Sequence, residues 1–269
     1  QTIYMNQATE AFQRLLTIMN ELREKCPWDK KQTMESLRHL SIEELYELSD
    51  AILESDREEI KKELGDVMMH LVFYAKIASE NGWFEMKDVL DSVCEKLIYR
   101  HPHIYGDVMV KDEHEVKQNW EQLKLKEKGA NGEKKKSVLQ GVPASLPALV
   151  KAFRIQEKVA AVGFDWTAKE QVWAKVEEEI AEFKAETSLV ENRNQEHIEG
   201  EFGDLLFSLI NYGRFLNINA EDALEKTNRK FIRRFNYIEE RAADAGMALA
   251  PGKLTEMDAW WNEAKKLSL

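Results

Sequence analysis

Apolar residues recur along this chain at intervals of three and four, and runs of strict alternation are absent. Phe12, Leu15, Leu16, Met19 and Leu22 form one such stripe, and Ile42, Leu45, Leu48, Ile52 and Leu53 form a second. That spacing places side chains on one face of a helix. Only 12 Gly and 5 Pro punctuate 269 residues, so the predicted fold class is all-α. The pattern fails between about 126 and 149, where Gly129, Gly132, Gly141, Pro143 and Pro147 surround a run of Lys134, Lys135 and Lys136. This stretch reads as a linker between a module at 1–125 and another at 150–269, and the lysine run as a solvated part of it.

The two modules repeat one another in order. The first carries Trp28, the EExxE segment Glu43 to Glu47, Glu63-Leu64-Gly65-Asp66, Lys96 to Arg100 and Trp120. The second carries Trp166, the EExxE segment Glu178 to Glu182, Glu201-Phe202-Gly203-Asp204, Lys230 to Arg234 and Trp261. Such internal similarity implies two copies of one helical unit.

One EExxE segment is weak evidence, because charge runs on helices usually make a solvated face. Here each is followed by an ExxD segment that opens an apolar run, from Val67 to Ala75 and from Leu205 to Ile210. Helices apolar on nearly all sides are buried helices. Two acids at i and i+3 facing two more would repel, and burying unpaired charge costs several kcal/mol. A cation is therefore expected between the EExxE and ExxD acids of a module, with Glu44, Glu47, Glu63 and Asp66 of the first a second candidate site. An all-oxygen donor set suits Mg2+ or Mn2+ rather than zinc or copper. Di-iron carboxylate bundles use Glu-x-x-His from two helices, and neither EExxE segment has that histidine. His70 follows Asp66 by four residues, but Ser208 stands at that place in the second half.

Mg2+ is usually held by a few carboxylates together with substrate phosphates, which implies a polyphosphate substrate. Lys96 with Arg100, and Lys230 with Arg234, are i, i+4 pairs that project two cations from one helix face, a suitable phosphate clamp. Trp120 and Trp261 close their modules as core residues or as stacking surfaces for a base. Asp29 and Asp165 are candidate helix caps, and His101 and His103 read as a helix-end loop. No GxxxxGK[ST], GxGxxG or GxSxG motif is present, so P-loop, Rossmann and serine-hydrolase chemistry lack their signatures.

The formal charge of −11 and pI near 5.2 argue against nucleic acid or an anionic membrane as partner. Cys26 and Cys94 belong to no CxxC or Cys/His cluster, which fits a reducing cytoplasm. No apolar run approaches a membrane span, and no signal-peptide pattern opens the chain. Helices with all-round apolar character in modules this small predict a homodimer.

EExxE followed after about 20 residues by ExxD, twice in an all-helical chain, with Cys26-Pro27-Trp28-Asp29 early and Gly163-Phe164-Asp165-Trp166 near the middle, closely resembles the MazG family. The resemblance implies Mg2+-dependent hydrolysis of nucleoside triphosphates to monophosphate and pyrophosphate, broad base tolerance, dimerisation and a house-cleaning role. It assigns Glu179, Glu182, Glu201 and Asp204 to metal, Lys230 and Arg234 to phosphate, and Trp261 to the nucleotide, which Lys175 also reaches. Glu177, Glu178 and Glu179 are consecutive; Glu179 is preferred as ligand, with Glu178 a candidate base or second-metal ligand. The resemblance associates activity with the second module. Spacing agrees, since Lys96 follows Asp66 by 30 residues but Lys230 follows Asp204 by 26, a difference of about one helical turn. A non-catalytic nucleotide sensor or partner-binding module is the alternative reading, separated by whether pyrophosphate is released.

Overall fold

The computed structural model describes residues 2–126, 137–188 and 194–269, and among these it contains eleven α-helices and no strand. The lysine run at 134–136 lies outside the described residues. The chain divides into two compact units, residues 1–109 and 110–269. The division comes earlier than the expected linker because α6 (Glu113–Lys126) belongs with the second unit. There Glu121 accepts hydrogen bonds from Lys124 at 2.9 Å and from Arg154 at 2.8 Å.

In the first unit, α1 (Thr2–Lys25), α2 (Met34–Glu54), α3 (Arg57–Glu80), α4 (Met86–Arg100) and the short α5 (Pro102–Tyr105) follow one another. The α2/α3 pair is joined through Ser55, in the left-handed conformation, and Asp56, whose carboxylate caps α3 by accepting from the N–H groups of Glu58 and Glu59. The core is Met19, Leu37, Val72, Phe73 and Ile77, flanked by Phe12, Leu15 and Leu16 from the predicted α1 stripe. The predicted α2 stripe is corrected. Ile42, Leu45 and Ile52 are exposed, while Leu37 and Ala51 are buried. The face turned toward α3 is thus the one that carries Glu44, seven residues from each.

The second unit contains α6, α7 (Ala148–Ala160), α8 (Lys169–Thr187), α9 (Gln195–Phe215), α10 (Ala220–Asp244) and α11 (Leu254–Lys266). Helices α8 and α9 pair closely, α11 packs on α10, and α7 contacts α9 and α10. Gln156 of α7 donates to the Phe207 carbonyl at 2.8 Å, and Arg214 bonds Asp165 at 2.6 Å. Asp165 and Asp29 do not cap the following helices: α2 is capped by Thr33, and the N–H of Ala168 before α8 is answered by Gln171. His101 closes α4, whereas His103, expected in a helix-end loop, lies within the short helix at Pro102–Tyr105.

The apolar helices after the ExxD segments are only half buried in the single chain. Val72, Phe73, Ile77 and Ile210 are covered, but Leu64, Met68, Leu71, Leu206, Phe207 and Leu209 are exposed. The reading of these helices as buried on all sides is corrected accordingly.

Candidate metal and nucleotide site

The acids occupy positions that would otherwise be core. On α3, Glu63, His70 and Ile77 are seven apart and all buried; on α2, Leu37, Glu44 and Ala51 have the same spacing. Seven residues are two helical turns, so these side chains line the seam between the helices. The second unit repeats the arrangement with Val172 and Glu179 on α8 and Glu201 and Ser208 on α9.

Two clusters result. Glu44, Glu63 and Asp66 each bring a carboxylate oxygen within 4.8 Å of the others, and so do Glu179, Glu182 and Glu201. Glu47 and Asp204, both exposed, stand outside these groups. Among the three consecutive glutamates of α8, Glu179 is 6% exposed, whereas Glu177 and Glu178 face solvent. Glu177 accepts from Trp173 Nε1 at 2.9 Å, and Glu178 from Lys175 at 2.8 Å.

Crowded carboxylates resist ionisation. Burial, then the charges of Asp66, Glu47 and Glu63, push the Glu44 carboxyl up, and desolvation with Glu179 and Glu201 does the same to Glu182. Each cluster is partly answered by a lysine. Lys62 lies 2.7 Å from Glu63, and Lys175 lies 2.6 Å from Glu179. Hydrogen bonds to Glu178 and Glu179 raise the Lys175 ammonium above its ordinary range. One oxygen of Glu63, a residue 2% exposed, has no hydrogen-bond partner among the described residues. An orphaned buried carboxylate oxygen inside an all-oxygen cluster is what a hard divalent cation would satisfy.

The first cluster carries a network that motif reading passed over. Ser41 Oγ is 3.0 Å from His70 Nδ1 and 2.7 Å from the Tyr74 hydroxyl, and His70 Nε2 stands 3.8 Å from Glu44. The Glu63–His70–Ile77 spacing was its only signal in the sequence. In the second unit, Trp173 and Tyr212 pack at 4.9 Å.

The predicted phosphate cations do not join the acids by ion pairs among the described residues. Lys230 is exposed on α10. Arg234 lies over the Trp261 ring at 5.5 Å, and Trp261 packs on Phe231 at 5.0 Å, so these two predicted residues are brought together. The extra spacing in the first module also has a location. From Asp66 to the end of α3 at Glu80 is 14 residues, against 11 from Asp204 to the end of α9 at Phe215. Lys96 and Lys230 each lie ten residues after the start of their helices. Three of the four extra residues therefore lengthen the acid-bearing helix, by about 4.5 Å.

Fold and site together define a class: an all-helical tandem protein in which paired helices gather carboxylates at their seam, once per repeat. The sequence pattern of the MazG nucleotide pyrophosphohydrolase domain matches residues 32–105 and 168–238, and the chain belongs to that family. It is 44% identical over 97% of its length to the nucleoside triphosphate pyrophosphohydrolase/pyrophosphatase MazG of Thermotoga maritima, covering 98% of that protein. It is 41% identical to the nucleoside triphosphate pyrophosphohydrolase of Escherichia coli K12, over 94% of this chain and 96% of that one. The Bacillus subtilis protein YabN is 46% identical over 95% of this chain, which spans 52% of YabN.

Proposed function

We propose that the second unit hydrolyses nucleoside triphosphates to monophosphate and pyrophosphate with Mg2+, for which Mn2+ substitutes. Family membership makes the chain a nucleoside triphosphate pyrophosphohydrolase, a hydrolase of anhydride bonds. The observation that carries the assignment to this site is the Glu179, Glu182 and Glu201 cluster at the α8/α9 seam. Broad base tolerance and a nucleotide-pool role rest on the resemblance.

Glu179, Glu182 and Glu201 would hold the ion, with Asp204 joining from the next turn of α9. When bound, the cation neutralises the triphosphate and polarises a phosphoryl oxygen. Glu178, exposed and paired with Lys175, would take the proton of an attacking water or serve as a second-metal ligand. Lys230 and Arg234 would balance the charge of the departing pyrophosphate. Trp261 offers an indole face to the nucleotide, and Lys175, already poised between Glu178 and Glu179, is a further contact. Among the described residues no helix is long and apolar enough to cross a membrane.

Incubation with a nucleoside triphosphate and Mg2+ tests the reading. Pyrophosphate and nucleoside monophosphate should accumulate, stop in excess chelator and resume with Mg2+ or Mn2+. Undiminished turnover in chelator would overturn the metal role. Release of orthophosphate and nucleoside diphosphate would overturn the cleavage position, and binding without turnover would favour the sensor.

A further inference from the structure

Helix α11 ends in a tight reversal. Ser268 takes the left-handed conformation, with φ 62°. Its N–H donates to the Lys265 carbonyl at 3.2 Å, and the N–H of Leu269 donates to the Ala264 carbonyl at 3.2 Å. These are the two bonds of a Schellman helix end. Ala264 is fully buried and α11 packs closely on α10, so the reversal is anchored. It points the Leu269 main-chain oxygen at α10, where Arg234 Nε donates to it at 2.8 Å.

Arg234 is thereby held at two places, by this hydrogen bond and by the Trp261 ring beneath its guanidinium. Among the described residues, Nη1 and Nη2 make no hydrogen bond or ion pair. Those two nitrogens form the end of the fork that grips a phosphate through parallel bonds. A free arginine must lose most of its rotamer freedom to bind in that way, and fixing Nε beforehand removes part of that cost.

We infer that the turn at 267–269 is a positioning device for Arg234, presenting its terminal nitrogens to the triphosphate. The inference rests on the proposed phosphate role of Arg234. Ser268 is the residue through which it acts, because the left-handed turn aims the Leu269 oxygen.

The test compares Ser268→Pro, Ser268→Val, Ser268→Gly, Arg234→Ala and the Ser268→Pro/Arg234→Ala double variant, all in the full chain. Proline bars a positive φ and removes the N–H that bonds Lys265, valine strains the turn, and glycine keeps it. Calorimetry with Mg2+ and an α,β-methylene triphosphate analogue, and separately with the nucleoside monophosphate, gives the readout. Ser268→Pro and Ser268→Val should weaken the triphosphate analogue, the former by about tenfold, with the monophosphate little changed. Ser268→Gly should bind like the parent. In the Arg234→Ala background the proline should cost nothing further, since a group acting through Arg234 has nothing left to position. Additive losses, or unchanged binding in the proline and valine variants while Arg234→Ala weakens it, would overturn the positioning role. Tighter binding in Ser268→Pro would do the same, by showing that the Leu269 oxygen competes with phosphate. If Arg234→Ala itself leaves binding unchanged, the phosphate role fails, and the inference with it.

Discussion

Arg23 shows how much one side chain organises in the first unit. It bonds Glu80 of α3 through Nε at 3.2 Å and Nη2 at 2.5 Å, donates to the carbonyls of Asp29 and Gln32, and lies over the Phe73 ring. The hydrogen bond from Arg23 holds the Glu80 carboxyl below its ordinary value of 4.5. A lowered folded-state value means that this contribution to stability is present above the unfolded value and is lost as pH falls through the folded one. Glu80→Gln should therefore destabilise the unit by about 1 kcal/mol at pH 7, after allowance for partial exposure. The difference should fade in melts taken well below pH 4; a penalty that persists unchanged in acid would mean that charge is not its source. Glu80 had no motif to announce it, because its partner is 57 residues away.

At the scale of the helix, the same two-turn period that builds a packing seam sets the acids into it. Glu44 and Glu63 share faces with Leu37 and Ile77, and Glu179 shares one with Val172. Motif spacing therefore pointed to the segments whose acids meet, while packing left Glu47 and Asp204 outside the clusters and selected Glu179 over Glu177 and Glu178 for burial. The three residues added to α3 shift the first module's cations along the helix relative to its acids, and reactions governed by positioning lose rate steeply with such shifts. Glu179→Ala with Asp204→Ala should abolish pyrophosphate release, whereas Glu44→Ala with Asp66→Ala should leave most of it. Circular dichroism should confirm that both variants remain folded; equal partial losses, or the reverse order, would refute the inequality of the modules.

For the whole molecule, the exposed apolar side chains of paired helices matter most. Leu45, Leu64 and Leu71 are each more than half exposed in the single chain, on the two helices that carry the first cluster. Large apolar side chains left exposed on paired helices favour association, and a second copy is the partner proposed for them. Light scattering at micromolar concentration should return twice the chain mass of 31.3 kDa. A monomer mass independent of concentration would exclude the dimer.

The all-helical class, the tandem repeat and the segments that supply the acids were determined by the sequence, because helix period and motif spacing are local properties of the chain, whereas packing left Glu47 and Asp204 outside the clusters. The exposed Ile42, Leu45 and Ile52, the grouping of α6 with the second unit, the Ser41–His70–Tyr74 network and the Leu269 bond to Arg234 were decided by tertiary structure. Each depends on which face of a helix meets another element, and residues distant in sequence choose that face through packing and desolvation rather than through any local preference.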